Sequence, residues 1–325
     1  MVSFRSLLGI SVLSCAASLA FPVAAPAQDY PVRPVKFIVP NPAGGGPDVV
    51  ARIVADKLAE KWGQAVVVEN RAGATGNIGA EAVFRSPPDG YTLMFTPQPV
   101  LVINKSLYSK LNYDPDAFAP ISVVVTVPMV LVVNPKVTAQ TVPELIAYAK
   151  ENPGRLNFAS AGSGSTPHLA GEYFKSRAGI EIVHVPYKGN APGVSDLLGG
   201  RVDMMMIDYI VLPHIRSGKL RALAVASEKR NAALPETPAV SETLPKFDVA
   251  AWFSLSAPPK TPSAITEKIS ADVAALLKLP DVGRRLVELG NMEPVGSTPA
   301  EMAQYLKAER ERWGDLIRAI GVKVD

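Results

Sequence analysis

Residues 157–169 read Asn-Phe-Ala-Ser-Ala-Gly-Ser-Gly-Ser-Thr-Pro-His-Leu, a spacing suited to holding an anion. Phe158 and its neighbours predict the end of a buried strand. Pro167 to Phe174 predict a helix with Leu169, Tyr173 and Phe174 on one face. Between them lie only small residues. Glycines there let the backbone bend sharply, Ser165 or Thr166 can cap the helix, and Pro167 takes its favoured first position. Backbone N–H groups and hydroxyls then gather at the positive end of a helix dipole, with Ser160 and Gly162 on the strand side. Taken alone, the stretch is equally well read as a plain strand-to-helix turn.

Similar loops recur along the chain. Val35 to Val39 predicts an apolar strand of the buried parallel kind. A loop with Gly44, Gly45 and Gly46 follows, and Asp48 opens a helix. Ala65 to Glu69 predicts a second strand, then a glycine-rich turn from Asn70 to Gly79 that contains Gly73 and Thr75. Tyr91 to Phe95 predicts a third strand ending at Thr96-Pro97-Gln98. Ile182 to Val185 leads into Pro186-Tyr187-Lys188-Gly189. Arg201 to Asp208 predicts a strand ending in an acid. Asp208 is placed to accept backbone N–H groups or to close a cleft. Ligands of parallel α/β sheets bind beyond the carboxyl ends of strands. A site made of these loops binds through N–H groups and helix termini, which suits a small anion with several oxygens.

The order strand, loop, helix, strand predicts an α/β fold with two Rossmann-like domains joined by a two-strand hinge. Phe118 to Val133, split by Pro128, is read as one crossing. Val249 to Ala257 is read as the return. The expected domains are residues 28–126 with 252–325, and residues 127–251. Thr141-Val142-Pro143-Glu144 and Thr298-Pro299-Ala300-Glu301 are capping boxes that open two helices.

Enzyme motifs fail when tested residue by residue. The chain has three histidines, His168, His184 and His214, and none has a metal-ligand partner at helical spacing. Each is read as a capping, packing or surface residue. A nucleophile elbow needs glycine two residues to either side of its serine, and neither Ser163 nor Ser165 has this. Gly162-Ser163-Gly164 begins a dinucleotide fingerprint, but Pro167 stands where its third glycine belongs. Lys188 is read as a rim charge and not as a Schiff-base lysine. No cofactor and no metal are expected.

Composition narrows the class further. The chain has 325 residues and a net charge of +3, with no Lys/Arg run, so nucleic-acid binding is not suggested. Leu7 to Ala20 is an apolar run after Arg5, and Ala25-Pro26-Ala27 is a small-residue cleavage pattern. Residues 1–27 are therefore expected to be a secretory signal peptide, removed before Gln28. Val12-Leu13-Ser14-Cys15 offers lipidation at Cys15 as the alternative. Cys15 is the only cysteine, so a chain cut at Gln28 has no disulfide and relies on its core.

Several segments occur together in a familiar order: Val39 to Gly46, Asn70 to Ala80, Tyr108 with Tyr113-Asp114-Pro115, Ser160 to Leu169, Val185 to Gly189, and Gly199 to Asp203. Across essentially the whole mature length, the chain resembles the extracytoplasmic solute receptors of tripartite tricarboxylate transporters, the Bug family. The resemblance implies a monomeric periplasmic binding protein of type II architecture. Such a protein closes on a carboxylate and hands it to a membrane transporter with one large and one small subunit. The ligand is then expected at loops of both domains, held largely by backbone groups and ordered waters. The family alternative is a sensory partner of a histidine kinase. The chain departs from the family at Asn41, where an aromatic residue is usual, at Pro47, at Ala72 and Thr75, and at the rigid Pro97-Gln98-Pro99. Asn41, Thr75 and Gln98 make the expected pocket more polar.

Overall fold

Val35–Val39 (β1) is a run of apolar and β-branched residues, buried save for Lys36, and it sits between two parallel partners. These are Val66–Asn70 (β2) and Thr92–Pro97 (β3), which reach it through the helices Gly46–Trp62 (α1) and Asn77–Phe84 (α2). The computed structural model describes residues 30–321 and 323. The expected signal peptide and the cysteine within it lie outside these residues. From Pro31 onward the chain forms one compact unit, and within it lie two sheets.

The first sheet continues from β3 into Ala251–Ala257 (β10), then Ala119–Val127 (β4), then the short edge strand Glu293–Pro294 (β11). These three run antiparallel to their neighbours. The second sheet has the order β7-β6-β8-β5-β9. Its strands are Met129–Val133 (β5), Asn157–Ser160 (β6), Val183–Pro186 (β7), Met204–Asp208 (β8) and Arg221–Val225 (β9). Pro128 separates β4 from β5 and so divides one apolar run between the two sheets. Proline has no N–H to give a ladder, so the break falls there.

Helices cover the sheets. Val142–Glu151 (α4), Thr166–Ala178 (α5), Asn190–Leu198 (α6) and Leu212–Arg216 (α7) accompany the second sheet. Asn104–Leu107 (α3), Ser263–Leu277 (α8), Pro280–Glu288 (α9) and Pro299–Ile320 (α10) accompany the first. Thr298 and Glu301 form the expected reciprocal capping box at α10. At α4 the Thr141 hydroxyl accepts the Glu144 N–H, but Glu144 reaches one residue further back, to Gln140 N at 2.7 Å.

One apolar core runs beneath both sheets, from Ile38 and Met94 through Leu131 and Phe158 to Trp252 and Trp313. Glu309, almost fully buried on α10, accepts N–H groups from Trp252 on β10 and Trp313 and pairs with Arg312 at 2.8 Å. Three donors compensate a carboxylate that would be costly to bury alone.

Boundaries differ from the sequence reading where side chains compete for the backbone. α1 starts at Gly46, two residues before Asp48. The strand expected from Arg201 begins only at Met204. Asp203 and Asn157 exchange side-chain-to-backbone hydrogen bonds at 2.9 and 3.0 Å, and Arg201 N–H turns back to Asp196 O.

Candidate functional site

Three loops meet at the carboxyl ends of β1, β2 and β3. A Cβ added to Gly76 would lie 2.6 Å from Val100 Cγ2 and 3.3 Å from Pro40 Cβ, and one added to Gly79 would lie 2.8 Å from Pro40 Cβ. The contacts are too close for any side chain but hydrogen, so these glycines let the loops close on one another. The first loop is pinned by Asp48. Its carboxylate accepts N–H groups from Gly44 at 2.8 Å, Arg52 and Asn70, while Asn70 also donates to Asn41 O. Burial pushes the Asp48 carboxyl up, but these donors outweigh it and hold it below the usual range.

The second loop is pinned from below. Thr75 has left-handed φ of +50°, and its Oγ1 accepts the Tyr108 hydroxyl at 2.9 Å. Asn104 donates to Thr75 O and to Asn77, which also accepts from Tyr113. The Thr75 hydroxyl, expected at a ligand, therefore accepts from within the protein. Thr96 is fully buried and gives its hydroxyl to Pro97 O. Gln98 and Asn41 behave differently. Gln98 is fully buried, yet neither its Nε2 nor its Oε1 has a protein partner, and Asn41 Oδ1 is likewise enclosed and unpartnered. Buried amides in folded proteins nearly always find partners.

A second set of loops forms at β6, β7 and β8. Gly189 N–H donates to Ala161 O and Tyr187 N–H to Ser160 O, so the loops after β6 and β7 lie side by side. Ser165 caps α5 as expected: its Oγ accepts the His168 N–H. The same hydroxyl donates to Gly162 O at 2.6 Å, and the Ser165 N–H also goes to Gly162 O. Its polar groups are thus used inside the loop. Among the described residues the N–H groups of Ala161, Ser163 and Thr166 have no protein acceptor. Tyr187 turns its hydroxyl onto Asp196, at 2.7 Å, and Lys188 stands exposed. Asp208 accepts from Ile210 N–H and Asn190 Nδ2, and burial raises its carboxyl pKa.

A short chain of neighbours connects the two sets. Gly46, in the first turn of α1, lies against Phe253 and Met292. Gly290, two residues before Met292, lies on Tyr209 and Ile210, directly after Asp208. Asn231 of the second lobe bonds Glu293 and Asn291 of the first. The helices α1, α2 and α6 are N-capped by glycines, Gly45, Gly76 and Gly189, with no side-chain acceptor at any of them. A helix start leaves its first N–H groups unpaired within the helix. At α2 the first of these, the Asn77 N–H, is already taken by Ala74 O, whereas among the described residues the first N–H groups of α1 and α6 have no protein acceptor.

The sequence reading missed the supports: Asp48 with Asn70, Asn104 with Tyr108 and Tyr113, and the bonded role of His168 and His184. Asparagines at strand ends were a usable signal, since they favour local backbone bonding over ladders. A wide hollow lies elsewhere. It measures about 800 Å³ and is lined by Val123, Thr126, Leu277, Val295 and Tyr305, between β4, α8 and α10. No expected site residue lines it. Among the described residues, no cluster of His, Cys, Asp or Glu could hold a metal ion, and no helix is long and apolar enough to cross a membrane.

Two α/β lobes with small-residue loops at the strand ends define the class of two-lobed solute-binding proteins. Residues 50–322 match the model of the tripartite tricarboxylate transporter family receptor, and the chain belongs to that family. It is 39% identical to Protein BugT of Bordetella pertussis, over 98% of each chain. A solved structure of an R. palustris protein with adipate is 36% identical, with a TM-score of 0.83 over 91% of this chain and 99% of that one. MatC of Rhodopseudomonas palustris, solved with bound malate, is 32% identical, with a TM-score of 0.78 over 89% and 100%.

Proposed function

We propose that the protein is a periplasmic receptor that takes up a small carboxylate between its two lobes and delivers it to the membrane subunits of a tripartite transporter. The observation that carries this reading is a pair of glycine-capped helix starts, at Gly45 in the first lobe and Gly189 in the second, whose first N–H groups have no acceptor within the protein among the described residues. Unpaired N–H groups at the positive ends of helices favour a carboxylate without a counter-charge from a side chain. The likeness to proteins solved with adipate and malate supports the same ligand class.

In this reading Gly44, Gly45, Gly73, Ser160, Gly162, Thr166 and Gly189 shape the backbone of the site, and Lys188 draws anions to its rim. Gln98 faces the ligand with its unpartnered amide and Asn41 with its unpartnered Oδ1. The lobes correspond to residues 28–126 with 252–325 and to residues 127–251, and they move about the crossings near Pro128 and Val249. On this reading the protein binds its ligand without turnover.

A thermal-shift screen of the purified protein against mono-, di- and tricarboxylates and acidic amino acids tests the proposal. A ligand that binds only the folded state raises Tm. The expected result is a rise with one small group of carboxylates. No shift with any carboxylate at millimolar concentration would remove the basis for the receptor reading.

A further inference from the structure

His168 on α5 is almost fully buried, and its Nδ1 accepts the N–H of Gly164 at 3.0 Å. His184 on β7 places Nε2 2.6 Å from Ser160 Oγ, and Ser160 Oγ in turn accepts the N–H of Gly162 at 3.1 Å. Two N–H groups of the loop after β6 thus end on imidazole nitrogens, one directly and one through a serine. The rings stack with centroids 3.9 Å apart, and both lie over Phe158. Simple packing would need the ring faces only. Here the ring nitrogens also fix two alternate residues of the loop that offers Ala161, Ser163 and Thr166 N–H groups.

We propose that His168 and His184 are positioning residues of the carboxylate site: while neutral they hold the Gly162–Thr166 loop in its binding shape, and protonation releases it. The proposal rests on the receptor reading above. With Nδ1 accepting, neutral His168 carries its proton on Nε2. A second proton turns Nδ1 into a donor that opposes the Gly164 N–H. Ser160 already donates to Gly162 O at 3.2 Å, which leaves its oxygen to accept from His184 Nε2, so a second proton on His184 acts through the charge it adds to the stack and not by breaking this bond. Two charged rings in stacking contact also repel.

The surrounding groups do not supply a strong counter-charge. From α5, Glu172 Oε1 lies 4.0 Å from His168 Nε2, and burial raises that carboxyl's pKa. Lys175, one turn on, pairs with Glu181. From β6 the neighbours are Phe158 and Ser160. Burial lowers both histidines to about 4, with His184 adding to the effect on His168.

The test uses two variants and two readouts. His168→Asn keeps an acceptor near the Nδ1 position but does not titrate, whereas His168→Leu removes the acceptor. In the ligand-free protein, the Gly164 amide resonance should titrate near pH 4 in the wild type and stay flat in H168N. Affinity is read by calorimetry with citrate, malate and adipate as probes, from neutral pH down to the same region. At neutral pH H168N should bind within about threefold of wild type and H168L about tenfold more weakly, since an unpaired buried N–H is costly. Comparing variants on one probe cancels the probe's own titration. A Gly164 amide that ignores pH in the wild type, or H168L binding as wild type does, would overturn the proposal. If no probe binds the wild type, the receptor reading fails, and the Gly164 titration alone decides whether the histidines position the loop.

Discussion

Gln98 carries an amide that is fully enclosed and meets no protein partner at either polar atom. Such a group is costly when left dry and useful when a ligand completes it. Gln98→Leu keeps the bulk and removes the amide. It should leave Tm unchanged or raise it, while affinity for the ligand falls about tenfold or more, the cost of one or two lost hydrogen bonds. Calorimetry and melting of the same variant check this, and equal affinity would take Gln98 out of the site. Ser165 is the opposite case. Its hydroxyl already caps α5 and bonds Gly162 O, so Ser165→Ala should lower stability by about 1 kcal/mol, the usual worth of such a cap. Its effect on affinity should stay below that of Gln98→Leu.

At the scale of elements, α5 must lie close on β6 to carry the loop between them. Gly171 makes that possible: an added Cβ would stand 2.3 Å from the Phe158 ring. Gly171→Ala would raise helix propensity yet force α5 and the ring apart. Overpacking of this kind costs about 1–3 kcal/mol, more than the alanine gains. A denaturant midpoint at or above that of wild type would show that the ring yields freely. The same displacement should loosen the histidine stack beneath the loop, because Phe158 lies against both rings.

Across the whole molecule, the two lobes share one core but are joined by few strands, with the chain crossing at Pro128 and again before β10. Closure on ligand should therefore appear as a smaller radius of gyration in small-angle scattering at saturating carboxylate. An unchanged radius would argue against a hinge. The buried histidines set an acid limit on stability. Their folded pKa values lie near 4, below the ordinary histidine value of 6.5, so the unfolded chain takes up protons first. The histidines' share of stability is complete above pH 6.5 and is lost as pH drops from there toward 4. Melting temperature measured across that window should decline, and the decline should be shallower in H168N.

The order of strands, loops and helices was legible in the sequence, because it depends on residues within a few positions of one another. Apolar runs marked β1, β5 and β8, and Thr298 with Glu301 marked the start of α10. The glycine-rich loops were equally legible, since small residues after an apolar run leave few alternatives. Which polar groups remain free was decided only by tertiary structure. Thr75 accepts from Tyr108, 33 positions away, and Tyr187 gives its proton to Asp196, so only the Thr75 hydroxyl keeps a proton to offer. His168 and His184 stack because β6 lies beside β7 with α5 packed over them. Gly290 reaches Tyr209 only because the chain returns to the first sheet through β10. A hydrogen bond forms between groups close in space, and the order of strands within a sheet is not encoded in any local window. The chain's own residues therefore fixed what each loop can offer, and the fold fixed which of those offers stay open to a ligand.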